Sequence, residues 1–160
     1  MTTIHVQKIG SAPIDQQLLN QAVGFYNAAS RCFANIAITP RIQNSPMTPG
    51  IVCAAFSVEL YLKLLNFIVS GKAPRGHKLD ELFAPLPADV KSALGQKYAF
   101  GTLETNIAQM SSAFVEWRYE HEHEALQINP DALMGLAAAC HLQVREMNAN
   151  LKVFGENQTV

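Results

Sequence analysis

Charge is scarce in this chain. Lys, Arg, Asp and Glu together make up 16% of its 160 residues, against about 25% in an average globular domain. The net charge is −1, with 12 basic and 13 acidic side chains. That excludes the global basic field that drives nonspecific nucleic-acid binding. A local basic groove formed in an oligomer stays open. With 49% hydrophobic residues and so few charges, the surface is expected to be too apolar for a lone monomer, which points to self-association.

Cysteine is equally sparse. Cys32, Cys53 and Cys140 are odd in number, far apart and set in apolar text. They exclude a disulfide scaffold and read as buried free thiols in a reducing cytosol. The opening "MTTIHVQKIG" lacks the charged-then-apolar layout of a signal peptide. No run of about 20 residues is free of polar groups, so no membrane span is expected. A cytoplasmic location follows as the expectation. No segment alternates with period two, and there are no repeats and no low-complexity tail beyond "GENQTV". The length suits one domain, 1–160, with a core large enough to need no staples.

What remains is helical text. After a short extended start, Ile4 to Ile9, Pro13 opens a helix expected to run to about Ala37. Leu18, Ala22, Phe25, Ala29 and Phe33 lie on one face of it. "ITPRIQNSPMTPG" is a loop, because its prolines, Asn-Ser pair and glycine cannot continue a helix. Thr48 is expected to cap the next helix, with Pro49 at its first position and Gly71 closing it.

That helix carries two apolar stripes. One is Ile51, Ala55, Val58, Leu62, Leu65 and Val69; the other, nearly opposite, is Phe56, Leu60, Leu64 and Phe67. A helix apolar on both sides is central, or faces a partner subunit. Between the stripes, Glu59, Lys63 and Asn66 form a narrow polar seam. A short helix around Lys78 to Phe83, a weaker one from Pro87 to about Tyr98, and a long one from Thr102 to about His123 follow. Leu103, Ile107, Met110, Phe114 and Trp117 give the long helix its core stripe. Asn129, Pro130 and Asp131 open the last helix. The expected fold is all-α, an up-and-down bundle of four to five main helices plus a short one.

Chemistry concentrates in "FVEWRYEHEHEAL", Phe114 to Leu126. His121 and His123 are two apart, so on a regular helix they point about 200° apart and cannot chelate one ion. The spacing that places two histidines of a metal-binding helix on one face is absent. No metal site is expected. Cys53 and Cys140 read as structural thiols rather than nucleophiles. His141 reads as a satisfied histidine on a packed helix, and His77 as a residue tying down the turn before the short helix. Arg118 has two readings. One is an ion pair with Glu122 at i+4; the other is a phosphate clamp beside a histidine suited to proton transfer.

Three separated pieces resemble the HEPN family (higher eukaryotes and prokaryotes nucleotide-binding domains). "FSVELYLKLLNFIVSGK", Phe56 to Lys72, is similar to that family's central helix. "RGHKLDELFAPLP", Arg75 to Pro87, is similar to the Gly-His turn after it, and "FVEWRYEHEHEAL" to the segment with the arginine–histidine motif. Many members are metal-independent endoribonucleases of toxin–antitoxin or defence systems, with the motif paired across a homodimer. Arg118, four residues and His123 match the motif's spacing. The resemblance implies that Arg118 holds the scissile phosphate, that His123 moves a proton as the RNA 2′-hydroxyl attacks, and that Glu59 orients the arginine. It implies no cofactor.

Tyr119 stands where catalytic members usually carry a small polar residue. Other members are non-catalytic modules that bind RNA, a nucleotide or a partner protein such as an antitoxin, and that alternative stays open. On a straight helix His121 lies about 20° from Phe114, Arg118 about 40° and His123 about 180°. His123 therefore reaches Arg118 only if the helix ends or distorts near Glu122, and His121 is the reserve.

Overall fold

The helix with two apolar faces is the centre of the fold. The computed structural model describes residues 12–34 and 46–153, and among these the regular structure is helical throughout. The first helix, α1, is Ile14–Ala34 and the central one, α2, is Met47–Ser70. The extended start, the last predicted residues of α1 and most of the proline-rich loop lie outside the described residues.

The first stripe of α2 is buried up to Val69, which is exposed; in the second, Leu60 and Leu64 are buried and Phe56 and Phe67 half-buried. Gly71 closes the helix in the left-handed region, φ 72°, and its amide donates to Phe67 O at 2.8 Å. That conformation favours glycine because it has no Cβ. By length and composition α2 could cross a membrane, but 67% of its most apolar window is buried inside the protein.

α1 runs antiparallel to α2. Ser57 Oγ donates to Ala22 O at 2.8 Å, while the start of α2 meets the end of α1. There a Cβ on Gly50 would stand 2.6 Å from the Phe33 ring, so only glycine permits this approach of the two backbones. On another side of α2 packs α7, Pro130–Met147. It starts as expected: Asn129 Oδ1 accepts from the amides of Asp131 and Ala132 at 3.0 and 3.2 Å, with Pro130 at the first position.

Between α2 and α7 in sequence come α3 (Leu79–Phe83), α4 (Ala88–Lys97), α5 (Leu103–Met110) and α6 (Ala113–Glu116), then a 3-10 segment, Trp117–Glu122. Lys97 on α4 reaches Gln143 at 3.0 Å and Glu146 at 2.9 Å on α7. In the loop after α4, the Phe100 ring lies directly on Gly135 of α7, where a Cβ would collide with it.

Two local expectations are corrected. Thr48 is not a helix cap. α2 begins two residues earlier, behind Pro46, and Thr48 Oγ1 instead donates to Glu120 Oε2 at 2.6 Å. Pro49 moves to the third position, still in the first turn, whose amides have no helical partner.

The long helix from Thr102 to His123 is not continuous either. It breaks at Ser111–Ser112, and after α6 it tightens into the 3-10 segment. The first break has a tertiary cause. Ser111 O accepts from the Leu79 amide at 3.1 Å, its hydroxyl accepts from the Asp80 amide at 3.3 Å, and that hydroxyl also bonds the Asp80 carboxylate. Ser111 thus supplies the N-terminal partners that α3, a helix of five residues, lacks in its own sequence. The hydroxyl donated by Ser111 also holds the Asp80 carboxyl below the usual range.

One buried polar atom stands apart. Among the described residues the Tyr98 hydroxyl has no hydrogen-bond partner, and burial pushes its phenol up from the ordinary value. Removing an unpartnered buried hydroxyl recovers its desolvation penalty. Tyr98→Phe is therefore expected to stabilise the fold by about 1 kcal/mol, read as a higher urea midpoint at an unchanged slope.

Candidate active site around Phe114

The buried end of α6 brings Phe114 against the core, and one cationic and one titratable side chain lie against its ring. The Phe114 ring stacks on Phe56 of α2 at 4.7 Å between centroids. The His77 ring lies 5.5 Å from it. The Arg118 guanidinium sits over it, Cζ to centroid 4.3 Å, and 5.5 Å from the Tyr119 ring. Arg118 is exposed, so this cation–π contact is worth about 0.5–1 kcal/mol. The i+4 ion pair with Glu122 does not form; the aromatic faces take the guanidinium instead.

The polar seam of α2 is buried beneath His77. Glu59 is 0% exposed, and its carboxylate accepts from Lys63 Nζ at 2.7 Å. It also faces His77 Nδ1 at 3.0 and 3.1 Å from its two oxygens. A carboxylate held by an ammonium can only accept, so Nδ1 carries the proton of this bond. Asn66 completes the seam: its Nδ2 donates to Leu62 O and Leu82 O, both at 2.8 Å. The expectation that His77 ties down its turn is met, and its anchor is Glu59. Glu59 was expected to orient Arg118, but the groups bonded to it are Lys63 and His77.

The helix does distort before His123. Tyr119 has non-helical backbone angles, φ −122° and ψ 38°, and the 3-10 segment ends with His123 in extended backbone. Its last turn is closed by the His123 amide on Glu120 O at 3.1 Å, while Thr48 ties the Glu120 side chain to the start of α2. His123 is exposed at this end. His121 is exposed as well, with Nε2 3.9 Å from Glu122. Among the described residues, no hydrogen bond or ion pair joins Arg118 to either histidine.

The remaining candidates keep structural surroundings. His141 Nδ1 and the Tyr61 hydroxyl are 3.0 Å apart beside a pocket of about 440 Å3 lined largely by α1 and α7. Cys140 is fully buried, and burial pushes its thiol up to about 12. Cys53 is raised by burial and by neighbouring Cys32. Cys32 and Cys53 are half-buried rather than buried. Among the described residues, no three His, Cys, Asp or Glu side chains are grouped to hold a metal ion.

His77 is the residue whose place in the site the sequence reading missed. The visible signal was the acidic member of an otherwise apolar helix, followed eighteen residues later by a histidine after a glycine; Gly76 turns the chain there at φ 102°. No protein-family model, curated protein or solved structure matches this chain.

Proposed function

We propose that this chain is a HEPN-like helical protein that works in the cytoplasm as a homodimeric, metal-independent endoribonuclease of a toxin–antitoxin or defence system. The observation that carries the reading is the distortion at Tyr119 and the end of the 3-10 segment at Glu122. It releases His123 from the helix face opposite Arg118, the condition on which the motif depends. Arg118, exposed on the Phe114 ring, offers its planar fork to the scissile phosphate. His123 acts in proton transfer as the 2′-hydroxyl attacks. Val115 and Tyr119, both exposed apolar side chains flanking Arg118, suit the approach of a second copy.

Purified protein is expected to cut labelled single-stranded RNA in excess chelator, leaving a 2′,3′-cyclic phosphate. His123→Ala is expected to slow the cut by about 100-fold or more. Light scattering should report a dimer at micromolar concentration. Uncut RNA, equal cutting by the variant, or a monomer would sink the reading.

A second reading has its own observation. Glu59 is engaged by Lys63 and His77, and among the described residues no carboxylate pairs with the Arg118 fork. A non-catalytic module binding RNA, a nucleotide or a partner protein would have this arrangement. Its signature is RNA retention without product.

A further inference from the structure

We infer that His77 is a catalytic residue of this site and that Glu59 is its positioning residue. The inference rests on the nuclease reading and names a proton-transfer group outside the Arg118–His123 motif. Two observations carry it. His77 and Arg118 come from segments far apart in sequence, yet both lie against the Phe114 ring, at 5.5 and 4.3 Å from its centroid. Among the described residues, the imidazole is also held at one nitrogen only. Nδ1 is fixed by a carboxylate that is 0% exposed, while the His77 side chain is 54% exposed. A buried carboxylate on Nδ1–H sets the tautomer that presents Nε2 as the base, the arrangement that orients a catalytic imidazole. A histidine that merely pinned a turn would need no carboxylate taken out of water beneath it.

In the proposed step, the RNA 2′-hydroxyl gives its proton to His77 Nε2 as its oxygen bonds to phosphorus. The bond from phosphorus to the 5′-oxygen breaks. That oxygen leaves with a proton from the His123 imidazolium, and proton exchange with water resets both rings. The products are a 2′,3′-cyclic phosphate and a 5′-hydroxyl. Arg118 holds the non-bridging oxygens while charge develops on them.

Charged groups surround His77 on several sides. Glu59 and Lys63 face it from α2, and Arg118 lies across Phe114. From α3, Glu81 stands over Gly76 and pairs with Lys78. His77 must be neutral to accept a proton, and the Glu59 carboxylate on its Nδ1–H leaves Nε2 as the accepting atom.

The test compares wild type, His77→Asn, Glu59→Gln and His123→Ala on labelled single-stranded RNA in excess chelator. Binding is measured separately on 2′-O-methyl RNA, which cannot be cut by this route. His77→Asn is expected to lower kcat about 100-fold or more with binding unchanged. Glu59→Gln, which keeps the side-chain shape but removes the charge on Nδ1–H, is expected to lower kcat about 10-fold or more with binding unchanged. Thermal melts check that each variant is folded. Wild-type kcat in folded His77→Asn, or in folded Glu59→Gln, overturns the inference. If His123→Ala alone is inactive, the nuclease reading stands and this one falls; if wild type leaves RNA uncut, both fall.

Discussion

Glu59→Ala is expected to lower the unfolding free energy by about 3 kcal/mol, and Glu59→Leu with Lys63→Met to restore most of it. The carboxylate is fully buried, and Lys63, one turn on, is only 17% exposed. Removing the acid alone strands an ammonium in an apolar wall and leaves a void. Replacing both members with apolar side chains of similar volume removes the desolvation of both at once. In a chain of this size the single change corresponds to a fall of about 6–12 °C in Tm. Urea denaturation of the three proteins decides it. A Glu59→Ala variant within about 1 kcal/mol of wild type would show the pair to be incidental. The restored double variant also separates two roles: its melting recovers, but its His77 has no carboxylate, so RNA cleavage should stay low.

The second large effect falls on Arg118. Arg118→Ala is expected to reduce kcat/KM on single-stranded RNA by more than about 100-fold, the scale seen when one preorganised donor to developing charge is removed. Arg118→Lys should recover little, since a point charge cannot span two phosphate oxygens. Stability should hardly move, because the guanidinium is exposed and its contact is with the Phe114 face. Single-turnover cleavage, with thermal melts alongside, gives both numbers. Cleavage by Arg118→Ala at the wild-type rate would remove Arg118 from the chemistry. A drop accompanied by unfolding would assign it to the core instead.

Local signals were legible and tertiary ones were not. Gly71 and the Asn129–Pro130 start are written in a few consecutive residues, and both ends fall where those residues put them. The central place of α2 could be read from its two apolar faces. The break at Ser111 could not, because its cause is the Leu79 and Asp80 amides, some thirty residues away. Thr48 failed as a cap for the same reason: its hydroxyl bonds Glu120, 72 residues on. In the site, the seam of Glu59, Lys63 and Asn66 was visible as a pattern. Its partner was not, since periodicity describes one helix and His77 comes from the turn that follows it. Helix counting did identify the condition on His123, because the angle between positions 118 and 123 is a property of the helix alone.

The Phe100 ring resting on Gly135 has a consequence for how this sequence can drift. A methyl group at position 135 would collide with the Phe100 ring unless that ring, 41% exposed, moves aside, although α7 itself would tolerate alanine there better than glycine. The two sites therefore share a single allowance of volume. Among diverged copies of this chain, a larger residue at 135 belongs with a smaller one at 100, and the two positions should be inherited as a matched set.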